Sequence, residues 1–142
     1  MVRLGLGLYG INSRNNEILH NVSTQIHEVP KEHTVGYSRK GRLTRDSRIA
    51  ALPIGYADGL DRKLGCGRAY CLVNGQRAPY VGNICMDVCM IDVTDIDCRE
   101  GDTAIIFGDD LPVTVLSDAV GTIPYEILTG VSARVKRVYY QD

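Results

Sequence analysis

The first ten residues carry the clearest chemical pattern, an apolar stretch interrupted by Gly5, Gly7 and Gly10. Glycine lets the backbone approach a ligand closely and take conformations closed to other residues. A strand, a glycine turn and a helix start together present free N–H groups that attract phosphate. The pattern predicts a phosphate-binding turn. Because such a turn normally lies well inside a domain, we expect this chain to be a piece of a longer protein.

Composition limits the function classes without selecting one. The chain has 142 residues, 44% hydrophobic and 23% charged, which suits one globular domain with a real core. Its net charge of −1 argues against nucleic acid or an anionic membrane as a partner. The sequence lacks an apolar run of roughly 20 residues and a signal peptide, so we expect a cytoplasmic protein that does not bind membranes.

Five cysteines raise the question of a metal or disulfide site. Their number is odd, and none of them form the CxxC spacing of many zinc sites. Cys85 and Cys89 lie in an apolar run, where thiols usually act as small buried hydrophobic groups. We therefore expect structural or unpaired thiols and no metal.

The elements that must position any site are mostly strands. Alternation and apolar runs predict strands at residues 18–29, 34–38, 48–56, 70–73, 76–81, 85–93, 103–107 and 133–140. Asn74-Gly75 predicts a type I′ hairpin turn. Short helices are expected at 115–121 and 124–130, the second with Pro124 in its first turn and Gly130 closing it. This pattern predicts a mainly β domain, a barrel or sandwich, with a boundary near residues 10–17 after an α/β remnant.

Six segments in order give the chain a family resemblance that covers nearly its whole length. Together they resemble the C-terminal part of alanine racemase, a pyridoxal-phosphate enzyme that interconverts L- and D-alanine. The segments are Arg3-Leu4-Gly5-Leu6-Gly7-Leu8-Tyr9-Gly10, Val35-Gly36-Tyr37-Ser38-Arg39, Ile54-Gly55-Tyr56-Ala57-Asp58-Gly59, Ala78-Pro79-Tyr80-Val81-Gly82, Ile84-Cys85-Met86-Asp87 and Ile123-Pro124-Tyr125-Glu126.

The resemblance implies a domain division and an assembly. Residues 1–11 would be the end of a (β/α)8 barrel, 12–17 a linker, and 18–142 a partly closed, barrel-like β domain with short helices. The family works as a head-to-tail homodimer in cell-wall synthesis, and some members are fused to a cell-wall ligase. A phosphate turn at the end of such a barrel agrees with the glycine pattern, since barrels often bind phosphate after strands 7 and 8.

The resemblance also implies cofactor-binding residues. Gly5 and Leu6 would donate backbone N–H groups to the phosphate of pyridoxal 5′-phosphate, and Tyr125 would add its hydroxyl. Arg3 would face the pyridine nitrogen of the cofactor. A guanidinium donates a hydrogen bond without readily passing its proton, which favours simple reprotonation at Cα over transamination. On the residues alone, an ordinary glycine turn and an ordinary helix tyrosine stay open.

Three residues are implied at the reaction centre and its entrance. Tyr37 matches the catalytic tyrosine, one of two acid–base groups that racemisation needs on opposite sides of Cα. Met86, flanked by Cys85 and Asp87, matches the residue whose backbone approaches the substrate carboxylate. Tyr56 matches an entryway tyrosine, with Arg62 further out. By residue type alone, Tyr37 could equally fill the core of a strand.

Two departures limit what the resemblance implies. Asn83 stands where many family members carry arginine, which weakens a charged role in the entryway. None of the four lysines, Lys31, Lys40, Lys63 and Lys136, lies in the context of the family's Schiff-base lysine. Tyr37 and Met86 would serve a partner's site, whereas the phosphate turn would serve its own subunit. We therefore expect this chain alone to be inactive and not to hold the cofactor.

Two other hypotheses stay open on the sequence. One is a non-catalytic β module for dimerisation or binding. The other is a related barrel-type pyridoxal-phosphate decarboxylase that acts on basic amino acids. The decarboxylase ranks last, because the motifs around its catalytic cysteine do not occur in this chain.

Overall fold

The structure, a computed structural model, describes residues 19–22 and 25–136, with side chains from residue 25 onward. The predicted barrel remnant and the linker therefore lie outside the described residues. The strands of the described part are β1 (Leu19–Val22), β2 (Gln25–Val29), β3 (Thr34–Val35), β4 (Gly41–Arg42), β5 (Ser47–Leu52), β6 (Tyr70–Val73), β7 (Gln76–Val81), β8 (Cys89–Asp92) and β9 (Asp102–Ile105). Seven of them form one antiparallel sheet in the order β1-β9-β6-β7-β8-β5-β2, and β3 and β4 form a separate hairpin.

The sheet curls into a half-barrel, because β1 at one edge also contacts β5 near the other. Its concave side holds a core of branched aliphatic side chains that are almost fully buried, including Leu52, Val73, Ile91, Val93 and Ile106. Two short helices, α1 (Val113–Val120) and α2 (Pro124–Gly130), pack against each other and cover this core through Leu116 and Ile127. The prediction of a mainly β, partly closed domain with short helices is confirmed.

The structure confirms two predictions that rest on turn and helix-start residues. Asn74 and Gly75 both take positive φ, 49° and 74°, as a type I′ hairpin between β6 and β7 requires. Pro124 lies in the first turn of α2, where its missing N–H leaves no hydrogen bond unmade. Helix α1 begins two residues earlier than predicted, at Val113.

The predicted strand 18–29 is wrong as a single element. Its first part, β1, pairs with β9, and its second part, β2, pairs with β5 at the opposite edge of the sheet. Alternation continues through both parts, so the pattern could not reveal that the chain passes from one edge to the other.

Five other predicted strands extend beyond the observed ones. The segment 34–38 ends as a strand at Val35, 48–56 ends at Leu52, and 85–93 begins only at Cys89. The segment 103–107 ends as a strand at Ile105. Residues 133–136 form turns, and the rest of the predicted strand 133–140 lies outside the described residues. The residues lost from the first three strands form the turns that carry Tyr37, Tyr56 and Met86.

All five cysteines are free, and Cys71, Cys85, Cys89 and Cys98 are buried. The expectation of structural or unpaired thiols is thus confirmed, with Cys66 free and exposed. Within the described ranges, no cluster of three or more His, Cys, Asp or Glu side chains could hold a metal ion. No helix in that part of the chain is long and apolar enough to cross a membrane.

Candidate functional site

Residues 85–88 form a tight turn, the Met86 turn, which replaces the start of the predicted strand. The Cys85 N–H donates to the Val88 carbonyl oxygen (2.9 Å) and closes the turn. Cys85 is buried, whereas Met86 at the tip is 53% exposed. Among the described residues, no acceptor pairs with the Met86 N–H, which is therefore available to an anion.

Residues 55–59, the Tyr56 turn, lie directly against the Met86 turn. The N–H groups of Tyr56 and Ala57 donate to the carbonyl oxygens of Cys85 (2.9 Å) and Met86 (3.0 Å). A Cβ on Gly55 would lie 2.3 Å from both carbonyl oxygens, so only glycine permits this approach. The two turns are thus joined backbone to backbone.

Tyr56 points its ring partly into solvent, with 43% of the residue exposed. The Arg62 guanidinium carbon lies 6.0 Å from the ring centre, at the outer limit of a cation–π contact. The predicted entryway pair is therefore in proximity, on two successive 3₁₀ turns at Tyr56–Asp58 and Arg62–Leu64.

Tyr37 begins a 3₁₀ turn, Tyr37–Arg39, that joins β3 to β4. Gly36 before it has φ 75°, and Ser38 and Arg39 also take positive φ, 59° and 52°. Two successive non-glycine residues in this region are strained, which is common where a structure holds a functional side chain. Tyr37 itself is 75% exposed, so it does not fill the core.

Asn83 anchors the Tyr37 turn to the same stretch of chain. Its side-chain amide donates to the Tyr37 carbonyl oxygen (3.3 Å) and accepts from the Cys66 thiol (3.7 Å). Next to it, a Cβ on Gly82 would lie 2.7 Å from the Val35 carbonyl oxygen. Residues 82–86 therefore contact the Tyr37 turn at one end and the Tyr56 turn at the other.

A charged group of three residues lies beside the Tyr56 and Met86 turns. The Asp58 carboxylate accepts from the Gly55 N–H (2.8 Å) and from Arg134 Nε (2.7 Å). Arg134 also forms an ion pair with Asp87 through its Nη2. Hydrogen bonds to the two carboxylates raise the pKa of the Arg134 guanidinium, so it stays charged.

Helix α2 connects this group to Tyr125, which lies half-buried in its first turn. The other end of α2 packs on the Tyr56 turn, since a Cβ on Gly59 would lie 2.4 Å from the Gly130 carbonyl oxygen. Just after α2, the Ser132 N–H donates to the Asp58 carbonyl oxygen (3.0 Å). Tyr125 and the three turns therefore belong to one connected part of the domain.

The structure thus brings Tyr37, Tyr56 and Met86 to turns that contact one backbone segment. Arg3, Gly5 and Leu6 lie outside the described residues, so their predicted roles stay predictions. All four lysines are exposed. Chemically, the three turns offer the exposed phenol of Tyr37 as a group that can transfer a proton, and the Met86 N–H as a donor to an anion.

Sequence reasoning missed the structural roles of Asn83, Asp58 and Arg134. Asp58 had a local signal, because an acidic residue three positions after Gly55 can accept from the glycine N–H. Arg134 had none, since its partner Asp58 lies 76 positions away in sequence.

Comparison with known proteins gives one consistent family. Residues 19–139 match the family model described as alanine racemase, C-terminal domain. The alanine racemase of Clostridium novyi is 39% identical over 159 aligned positions, which cover 99% of this chain and 41% of that protein. The alanine racemase of Helicobacter pylori is 37% identical, covering 98% and 41%.

Solved structures agree. Alanine racemase from Bartonella henselae, solved with covalently bound pyridoxal phosphate, superposes with a TM-score of 0.88 at 32% identity, over 96% of this chain and 40% of that one. The biosynthetic alanine racemase of Pseudomonas aeruginosa gives 0.83 at 33% identity, over 88% and 35%. This chain spans about 40% of the length of the curated relatives it matches.

Proposed function

Because the chain belongs to the alanine racemase C-terminal domain family, we propose that it forms part of an enzyme that interconverts L- and D-alanine with pyridoxal 5′-phosphate. In this proposal the chain supplies one acid–base group and one edge of the substrate site. The observation that carries it is the exposed Tyr37, held on a strained turn beside the Met86 turn through Asn83.

The described residues fit the cofactor as one side of its site. Tyr125, in the first turn of α2, would bind the phosphate together with Gly5 and Leu6, and Arg3 would face the pyridine nitrogen. No described lysine is shielded from water as a covalent attachment site would need, because Lys31, Lys40, Lys63 and Lys136 are all exposed. When bound, pyridoxal phosphate withdraws electrons from the amino acid and makes its Cα proton acidic.

Tyr37 is the acid–base group that this chain contributes. Its phenol would hold and exchange a proton at one face of the substrate Cα, and a second group outside the described residues would act at the other face. Exposure leaves the hydroxyl able to reach a substrate. The strained turn fixes the backbone from which the ring projects, so the phenol has a restricted range of positions.

Met86 and Tyr56 form the substrate-binding edge. The Met86 N–H would donate to the substrate carboxylate, while its carbonyl oxygen is already taken by Ala57. Tyr56, with Arg62 above its ring, would narrow the path by which alanine enters.

The exposed side chains fit a site that a second subunit completes. Tyr37, Met86 and Ile123 are large apolar residues with more than half of their surface exposed. We propose that they face a barrel domain of a partner in a head-to-tail homodimer, in a cytoplasmic enzyme that supplies D-alanine for the cell wall. Residues 1–11, 12–17 and 18–142 would then be the barrel end, the linker and the β domain.

The replacement Tyr37→Phe tests this function in a complete racemase that carries this sequence. Loss of the phenol should slow racemisation by about 10²-fold or more, the usual contribution of a general acid–base group. Racemisation should slow in both directions, because each direction needs proton exchange at both faces of Cα. Exchange of the Cα–H for solvent deuterium should be lost only from the enantiomer whose Cα–H faces Tyr37, while the cofactor absorbance band persists.

Tyr70→Phe is the matched control, because Tyr70 lies on β6 with Arg77 over its ring and belongs to none of the three turns. Its rate should equal that of the wild type. If Tyr37→Phe racemises alanine at the wild-type rate, Tyr37 is not the acid–base group. If the wild-type protein does not racemise alanine at all, a non-catalytic binding module is the better interpretation.

The chain by itself should bind no cofactor and show no racemase activity. Titration of this chain with pyridoxal phosphate should give only the weak absorbance changes of exposed amines. A saturable band that disappears in one lysine variant would show a specific attachment site and contradict the proposal.

A further inference from the structure

We propose that Arg134 is a positioning residue for the substrate-carboxylate edge, because it fixes the Met86 turn against the Tyr56 turn. This inference rests on the proposed function for its effect on alanine. The structural part, the fixing of the turn, stands on the contacts alone.

Asp58 makes the position of Arg134 obligatory. Its side chain is only 11% exposed, and a carboxylate so far removed from water needs partners for both oxygens. One oxygen accepts from the Gly55 N–H and the other from Arg134 Nε. Without Arg134, one oxygen of this buried carboxylate would have no partner. The free-energy cost of that unpaired charge holds the guanidinium in place.

The second arm of the guanidinium extends to Asp87, which follows Met86 directly. Arg134 therefore joins a carboxylate two residues after Tyr56 to a carboxylate one residue after Met86. The planar fork of arginine places two donors at a fixed separation, whereas the ammonium of lysine is a single point. Lysine could keep the Asp58 contact but not both contacts in the same geometry.

The bridge acts on the Asp87 side of the Met86 turn, where no backbone hydrogen bond between the described residues joins it to the Tyr56 turn. Two backbone hydrogen bonds attach Cys85 and Met86 to the Tyr56 turn. On the far side of Met86, the turn is exposed at Asp87, and the Arg134 contact ties it down. The direction of the Met86 N–H, which would meet the substrate carboxylate, therefore depends on contacts on both sides.

The test compares Arg134→Ala, Arg134→Lys and Asp87→Asn in the complete racemase. We expect KM for L-alanine to rise roughly tenfold in Arg134→Ala, with kcat within about twofold, because a tenfold change corresponds to about 1.4 kcal/mol of lost binding. Arg134→Lys should recover only part of the loss. Amide hydrogen exchange of residues 85–88 should become faster in Arg134→Ala, a readout that needs no activity.

Arg45→Ala is the matched control, because Arg45 forms an exposed ion pair with Asp95, and neither residue belongs to the three turns. It should leave KM and the exchange at residues 85–88 unchanged. If Arg134→Ala does not fold, Asp87→Asn decides, since it keeps the Asp58–Arg134 pair and should still raise KM.

The positioning role would be overturned by an unchanged KM in the folded variants. It would also be overturned by a fall in kcat with unchanged amide hydrogen exchange at residues 85–88. If the wild-type protein lacks racemase activity, the proposed function fails. Faster exchange at residues 85–88 in Arg134→Ala would then still support the structural part, and unchanged exchange would overturn it.

Discussion

Tyr37 and Tyr80 are the same residue type in opposite surroundings. Tyr37 is 75% exposed, on a turn in which its neighbours Gly36, Ser38 and Arg39 all take positive φ. Tyr80 lies on β7 in regular strand geometry and is fully buried in the sheet. Its hydroxyl has no hydrogen-bond partner within the described ranges.

The two tyrosines carry different free-energy costs, one in the backbone and one in the side chain. At the Tyr37 turn, the backbone is strained and the side chain is available to a ligand. At Tyr80, the backbone is relaxed and the hydroxyl has lost water without gaining a partner, so burial raises its pKa well above the usual value. Burial likewise raises the pKa of the nearby Cys71 thiol to about 12, so this part of the core stays uncharged.

Gly55→Ala should give the largest effect, because it breaks the backbone joint on which the exposed region depends. The new Cβ would lie 2.3 Å from two carbonyl oxygens, and both turns would have to move. We expect a loss of about 3 kcal/mol in the free energy of unfolding, the upper range for overpacking, measured by urea denaturation.

Gly130→Ala is the control for Gly55→Ala. A Cβ there meets nothing within 4 Å, and the residue ends helix α2 without positive φ. Alanine should leave stability unchanged or raise it by up to about 1 kcal/mol. If both variants have equal stability, the close approach of the two turns is not a fixed feature of the fold.

The same contrast explains how much could be predicted from the sequence. Asn74-Gly75 predicts the hairpin of β6 and β7, and Pro124 with Gly130 predicts α2, each at its observed bounds. The strands 34–38, 48–56 and 85–93 were predicted too long, because their apolar residues continue into turns. Those residues are exposed or bonded to other turns, and only tertiary contacts determine that.

Some residues of the candidate site could be predicted from the sequence, and others could not. Tyr37, Tyr56 and Met86 could be predicted from a family resemblance, since each lies in a recognisable motif. Arg134 and Asn83 could not, because each acts through a contact with a residue 46 or more positions away. A single side chain far along the sequence leaves no local pattern.

Tyr80→Phe tests the free-energy cost of the buried hydroxyl. Removing the unpartnered hydroxyl keeps the ring and its packing, so the free energy of unfolding should rise by about 1–2 kcal/mol. Tyr37→Phe should change it by less than about 0.5 kcal/mol, as expected for an exposed position. A loss of stability in Tyr80→Phe would mean that the buried hydroxyl has a partner in solution, such as an enclosed water.

Asn83→Ala should have the smallest effect and tests whether the strained turn needs its anchor. The variant loses the hydrogen bond to the Tyr37 carbonyl oxygen, worth about 1 kcal/mol, so kcat of the complete racemase should fall roughly fivefold. Asn74→Ala is the control, because Asn74 also donates to a backbone carbonyl oxygen, that of Asp97, but at the distant hairpin. Asn74→Ala should lose more stability, because alanine is also strained at the positive φ of Asn74, yet only Asn83→Ala should lose kcat. An unchanged kcat would mean that β3 and β4 alone hold Tyr37 in place. The strained Tyr37 turn would then need no side-chain anchor, as the regular strand around Tyr80 needs none.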